Sequence, residues 1–206
     1  MLQNQKTGFP NINSKMIYVH LLPTEKPRIE TIYDSSIFQW KSIWKNLSYK
    51  FIQVNERQFL FKYLHEIVPT GKRLSNIGQG SPECKYCGME ESNIHFVYQC
   101  IVYKPVIEWF KMLLFQCCNF NPNMIKVLML DIPNAEKIEK NTCIILVATY
   151  ITNMWIARKA ELTPVAAISL IKSKIMYNKF INVHRLRDKF NSVFTESYKT
   201  LEFVNR

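Results

Sequence analysis

Aspartate is nearly missing from this chain. Asp34, Asp131 and Asp188 are the only ones in 206 residues, and no two are near each other in sequence. Two-metal nucleotidyl or phosphoryl transfer needs clustered carboxylates to hold its cations, so no such active site is expected. A Gly-rich phosphate loop and a Gly-x-Ser-x-Gly nucleophile elbow are also absent. Glycine is scarce at five residues, and the hairpin dipeptides Asn-Gly and Asp-Gly do not occur. That favours helices over a multi-stranded sheet. Apolar runs such as Cys143 to Ala148 fall far short of the roughly 20 residues of a membrane span. The first ten residues, Met1 to Pro10, contain no apolar signal core. A protein of a reducing, intracellular compartment is expected, in nucleus or cytoplasm and away from membranes. Clustered cysteines there bind metal more often than they form disulfides.

What the chain does hold is apolar mass and positive charge. Hydrophobic residues make up 48% and aromatics 13%, enough for a packed core in one domain with a small appendage. The net charge is +11, and its distribution is uneven. Residues 36–80 carry seven basic and two acidic groups, and residues 136–206 carry twelve and six. Residues 81–135 are near neutral, with four and five. Such basic blocks favour a polyanionic partner held by salt-sensitive phosphate contacts.

The near-neutral stretch carries the chemistry. Cys84, Cys87, His95 and Cys100 form a Cys-x2-Cys-x7-His-x4-Cys pattern within seventeen positions. Three thiolates and one imidazole suit a closed, tetrahedral structural Zn2+ site. Gly88, directly after the second ligand, tolerates the positive φ that a tight Cys-x2-Cys turn often needs. The bland alternative is that these cysteines are small buried hydrophobes, but three of them plus a histidine at workable spacing are hard to assign to core filling. The common Cys2His2 finger has about twelve residues between its second Cys and first His, too many for this loop. His95 and Cys100 are five apart, or roughly 140° around an ideal helix. A straight helix cannot aim both at one ion, so the backbone must break or a helix must end there.

The surrounding residues add a family resemblance. Upstream lies Arg57-Gln-Phe-Leu-Phe-Lys-Tyr-Leu-His-Glu-Ile-Val-Pro69-Thr-Gly-Lys-Arg73-Leu, then Ser81-Pro-Glu-Cys84; downstream come Trp109 and Met154-Trp-Ile-Ala-Arg158. Over about residues 36–160 this resembles the zinc-binding segment that follows the polymerase core in non-LTR (LINE-type) retrotransposon reverse transcriptases. Val68 stands where that family usually has Leu, and Met154-Trp155 where it has Ile-Trp. The resemblance implies a non-catalytic module that contacts RNA or DNA, with a reverse-transcriptase core as a further partner. The Tyr-x-Asp-Asp hairpin of the polymerase itself is missing, and residues 101–206 lack the clustered acids of the nuclease that some relatives carry.

The expected fold is mainly α, a helical domain with an irregular CCHC zinc-stapled loop. Residues 1–35 read as an extended lead-in, 36–160 as the zinc-binding domain and 161–206 as a basic helical extension. Ser35 or Ser36 could cap a first helix with Ile37, Trp40, Trp44 and Leu47 on one face. Asn55 could cap a second, with Leu60, Tyr63, Leu64, Ile67 and Val68 as its stripe. A short helical turn covers Lys72 to Ile77. Ile94 to Tyr103 reads as helical until Pro105, which restarts a helix to about Cys118. Met124 to Leu130 adds a turn or two. Residues 136–159 place Ile144, Ala148, Ile151 and Trp155 on one face, and Pro164 precedes Ile168, Ile171 and Ile175. Leu186, Phe190, Val193, Leu201 and Val204 mark a last amphipathic helix.

Other residues divide between core and contact. The four tryptophans could stack on bases, but at helical spacing they are better read as core. His20, His65 and His184 carry no partner pattern, and Cys117, Cys118 and Cys143 fill helix faces. Glu90 and Glu91 are expected in a solvated loop. Arg57, Lys62, Lys72 and Arg73 flank the zinc segment, and Lys172, Lys174, Lys179, Arg185, Arg187 and Lys189 form the densest basic run; together they are the candidate nucleic-acid contacts. A zinc-stabilised module docking on a polymerase or host protein is the alternative, and an enzyme completed by a separate polypeptide is a weaker third.

Overall fold

A computed structural model describes residues 37–118, 123–132 and 137–183. Its helices are α1 (Trp40–Leu47), α2 (Val54–Leu64), α3 (Gly71–Asn76), α4 (Lys104–Cys118), α5 (Met124–Leu128), α6 (Lys137–Lys159) and α7 (Pro164–Val183). A π-helical turn (His95–Gln99) and a 3-10 turn (Ile101–Tyr103) precede α4. No strand occurs among the described residues; the nearest to one is a single antiparallel bridge between Glu83 and Glu90. The protein is mainly helical with an irregular Cys/His loop.

The core is organised around α6. Every residue from Cys143 to Ile151 is buried, because α2, α4 and α7 all pack on this helix. The one-sided stripe expected for it is therefore too narrow. A helix apolar all round is a central helix. Phe110 of α4 stacks on Tyr150 of α6 with ring centroids 3.8 Å apart, and Ala167, Ile171 and Ile175 bring α7 into the same core. The expected boundary near residue 160 falls in the turn between α6 and α7, whose helices pack against each other and against α4. Pro164 opens α7 as its first residue, where a missing N–H costs nothing.

Helix ends depart from the sequence reading. Helix α1 begins at Trp40 after Gln39, so Ile37 lies outside it and is half exposed, while Phe38 is buried instead. Ser35 and Ser36 lie outside the described residues. Helix α2 is capped by Gln53, not Asn55: the Glu56 carboxylate accepts from the Gln53 N–H in a reciprocal capping box. It stops at Leu64, where Glu66 at φ 55° turns the chain, leaving Ile67 exposed and Val68 buried. The helix expected from Ile94 to Tyr103 is interrupted at Cys100, whose ψ of 116° is extended. The lead-in and the last amphipathic helix fall outside the described residues. Among those described, no helix is long and apolar enough to cross a membrane.

Candidate metal centre

A short knuckle builds the first half of the site. The Cys84 N–H donates to Met89 O at 2.6 Å, and the Gly88 N–H to Cys84 O at 2.8 Å, closing the turn that presents both sulfurs. Gly88 sits at φ 76°, a conformation that a side chain would strain. The second half comes from the π turn. The Cys100 N–H bonds to His95 O, five residues back, at 3.0 Å. This wider turn, followed by the break at Cys100, carries both side chains to one side. The angular conflict seen in the sequence is resolved in this way.

All four donor atoms lie within 4.8 Å of one another. Cys84 Sγ and Cys100 Sγ are 4.0 Å apart, Cys100 Sγ and Cys87 Sγ 3.9 Å, and Cys87 Sγ and His95 Nε2 3.3 Å. These four residues form a cluster able to hold a metal ion. Cys84, His95 and Cys100 are buried, and Cys87 is half buried.

The centre is tied into the bundle by residues far away in sequence. Arg158, in the last turn of α6, donates from Nη2 to Cys84 Sγ at 3.0 Å and to Glu91 Oε1 at 2.5 Å. Its Nε and Nη1 are buried without a hydrogen-bond partner. The Tyr86 and Tyr103 rings, with centroids 4.8 and 5.3 Å from Cζ, meet that cation with their electron-rich faces. The second Glu91 oxygen accepts from the Gly71 N–H at 2.9 Å. Glu91 is thus a half-buried anchor and not the solvated loop residue expected, whereas Glu90 is exposed and pairs with Lys72. Tyr86 Oη donates to Arg158 O, Tyr150 Oη to Val97 O, and Asn93 Nδ2 to Tyr63 O. The loop is part of the bundle's packing.

The electrostatics favour the ligating form at Cys84 and His95 and oppose it at Cys87. Burial pushes the Cys84 thiol up, but the Arg158 hydrogen bond and the Tyr86 and Cys87 N–H groups outweigh it and hold the thiol below its ordinary value. Burial, with the neighbouring sulfurs, raises Cys87. Burial first, and the Arg158 charge second, lower His95, favouring the neutral imidazole that binds metals.

The sequence signalled Arg158 only as part of a motif and did not assign it a role. Among the expected nucleic-acid contacts, Arg57 is half buried and donates to the Tyr49 and Ile52 carbonyls at 3.0 and 3.4 Å. Lys62 is exposed on α2, and Arg73 is half buried in α3. Lys172 lies over the Trp109 ring and Lys174 over Tyr177, at 5.8 and 6.0 Å. The Lys179 side chain, Arg185, Arg187 and Lys189 lie outside what the structure describes. The described members of the two basic groups thus stand on different helices and are not gathered into the metal centre. Trp109 is buried, while Trp40, Trp44 and Trp155 are half buried against the core. Cys117 and Cys143 are buried core residues, as expected of them; the Cys118 side chain lies outside the description.

Comparison with protein-family models, with characterised proteins and with solved structures returns no match.

Proposed function

We propose that this chain is a zinc-stapled helical module that binds RNA or DNA through phosphate contacts, of the kind that follows the polymerase core in LINE-type reverse transcriptases. The donor geometry supports zinc. A tetrahedral ion with Zn–S bonds near 2.3 Å places its sulfurs roughly 3.8 Å apart, beside the 3.9 and 4.0 Å found here. Three thiolates and one imidazole complete four-coordination from the protein alone, so the ion's work is structural. The observation that carries the reading is the Arg158 lock. It answers the charge of the centre from within and leaves the cations on the outer helix faces for a partner.

Those outer cations are sequence-independent phosphate ligands by chemistry. Polymerisation and hydrolysis are not expected of the chain, since it offers no clustered aspartates. The test has two parts. Metal analysis by mass spectrometry should find one zinc per chain. Affinity for single-stranded RNA and duplex DNA should be titrated at several salt concentrations. Replacing Lys172, Lys174, Arg185 and Arg187 by Gln should weaken binding to all sequences and flatten the salt dependence while zinc content stays whole. Replacing Lys62, Lys72 and Arg73 tests the other basic group. If neither set changes affinity or slope, docking on a protein partner takes over as the reading.

A further inference from the structure

Between α1 and α2 the surface opens into a groove of about 450 Å3 whose lining includes Trp44, Leu47, Phe61, Ile67, Arg57 and Lys62. Its wall is aromatic and held in place. Phe61 stacks on His65 with centroids 4.1 Å apart, and Trp44 meets the other ring of this set, His65, at 5.3 Å. His65 Nδ1 bonds to Phe61 O at 3.0 Å, so the imidazole that props both rings is fixed to the backbone. Phe61 is 47% exposed and Ile67 43%, large apolar side chains left at the surface beside one another.

Two cations belong to the lining. Lys62 is exposed on α2, and the Arg57 guanidinium is held by the Tyr49 and Ile52 carbonyls. Of the two acids between residues 37 and 68, Glu56 is buried in a network with Thr149 and Asn178, and Glu66 lies beyond the end of α2. The complementary occupant is an anion with flat apolar parts.

We propose that this groove is a base-stacking site for single-stranded nucleic acid. One or two bases lie against the Trp44 and Phe61 rings, and the adjoining phosphates lie on Lys62 and Arg57. The proposal rests on the nucleic-acid reading above and adds to it. Phosphate contacts alone make bases irrelevant, whereas stacking makes them count without reading their sequence.

The experiment compares a 12-nucleotide thymidine oligomer with an abasic oligomer of equal length and charge, each labelled and titrated with the full chain at low salt. The thymidine strand should bind at least about fivefold more tightly. Phe61→Ala should shrink that ratio toward one while leaving abasic affinity and zinc content unchanged. Ile67→Ser, at an exposed position, serves as the second variant if Phe61→Ala misfolds. Equal affinity for the two strands overturns the stacking site and leaves phosphate binding standing. Binding of neither strand defeats both readings. A ratio that survives in the variants also overturns the proposal. So does an acidic, leucine-rich peptide whose binding is lost in Phe61→Ala while thymidine binding is kept, which would mark a protein-docking groove.

Discussion

Arg158 Nη2 donates to Cys84 Sγ at 3.0 Å, joining the last turn of α6 to the first cysteine of the Cys/His cluster across 74 residues. The same nitrogen holds Glu91, and the side chain is only 3% exposed. Removing the guanidinium takes the Glu91 carboxylate's ion-pair partner and a hydrogen-bond donor of the Cys84 sulfur. Breaking such a buried pair from one side costs about 3–5 kcal/mol. Arg158→Ala should lower the denaturant midpoint accordingly and speed zinc loss to a chelator. Arg158→Lys should recover little, because an ammonium cannot serve both partners and lie flat between two tyrosine rings. A double-mutant cycle with Glu91→Gln should show strong coupling; additive losses would mean that the two residues act separately.

Two glycines next to α3 should behave differently. A Cβ on Gly71 would sit 2.9 Å from Pro82 O and 3.0 Å from Ser81 O, both backbone atoms of the metal loop. Gly78 has φ 75° but nothing within 4 Å of where its Cβ would lie. Gly71→Ala must push the loop away, so it should cost about 1–3 kcal/mol and also weaken zinc retention. Gly78→Ala should cost about 1–2 kcal/mol of backbone strain and leave zinc release unchanged. Thermal melts with a chromogenic chelator separate the two. Equal zinc loss in both variants would show that the close approach at Gly71 is not what seats the loop.

The Cys/His cluster was legible in the sequence because it is local: four donors lie in one short loop, and their side chains do meet. The helical class was legible too, from scarce glycine and 3.6-residue periodicity. The support of the centre was not. Arg158 and Glu91 are 67 residues apart, and nothing in either neighbourhood names the other. Glu91 follows an exposed glutamate in a polar loop, a setting that suggests solvation, and only the fold brings Arg158 and Gly71 to it. Helix α6 misled in the opposite way. Between Cys143 and Ile151 the run is apolar almost throughout, and one face can be drawn through it, although neighbouring elements bury every side of it. Caps failed for a smaller reason. Gln53 and Glu56 cap α2 reciprocally, yet Asn55 sits between them as the better intrinsic cap former.

Glu56 should make stability depend on pH. It is buried, with Oε1 accepting from Thr149 Oγ1 at 3.0 Å and from Asn178 Nδ2 at 3.2 Å. Asn178 in turn accepts from Gln53 Nε2, so the network ties α2, α6 and α7 together. Burial raises the carboxyl above its usual 4.5, and the hydrogen bonds only partly offset that. A raised folded pKa means that the folded state binds its proton more tightly than the unfolded chain does. The contribution is complete below 4.5 and is lost as pH rises through the folded value. Unfolding midpoints of the native chain and Glu56→Gln, measured across that window, should diverge, with the native chain losing ground to the variant as pH rises. Parallel profiles would show that the carboxyl titrates as in the unfolded chain.

Removing the metal should loosen the loop without melting the bundle. Small zinc fingers unfold when stripped because the ion replaces a core they lack. Here the core is large and extends well past the loop that it meets: Phe110 stacks on Tyr150, and Leu114, Leu146, Val147 and Ile171 are fully buried in the same cluster. The knuckle depends on its donors, since three sulfurs at tetrahedral spacing repel once deprotonated and unmetallated. Hydrogen exchange followed by mass spectrometry, with and without a strong chelator, should show protection lost from residues 82 to 103 and from α3. Protection should persist through residues 143 to 157. Arg158 lies at the border, so the last turn of α6 should exchange faster while its middle does not. Cys87→Ser should reproduce the chelated pattern, and Cys143→Ala should keep its zinc. Uniform loss of protection along the whole chain would mean that the ion is the fold's keystone and that the helical core cannot stand without it.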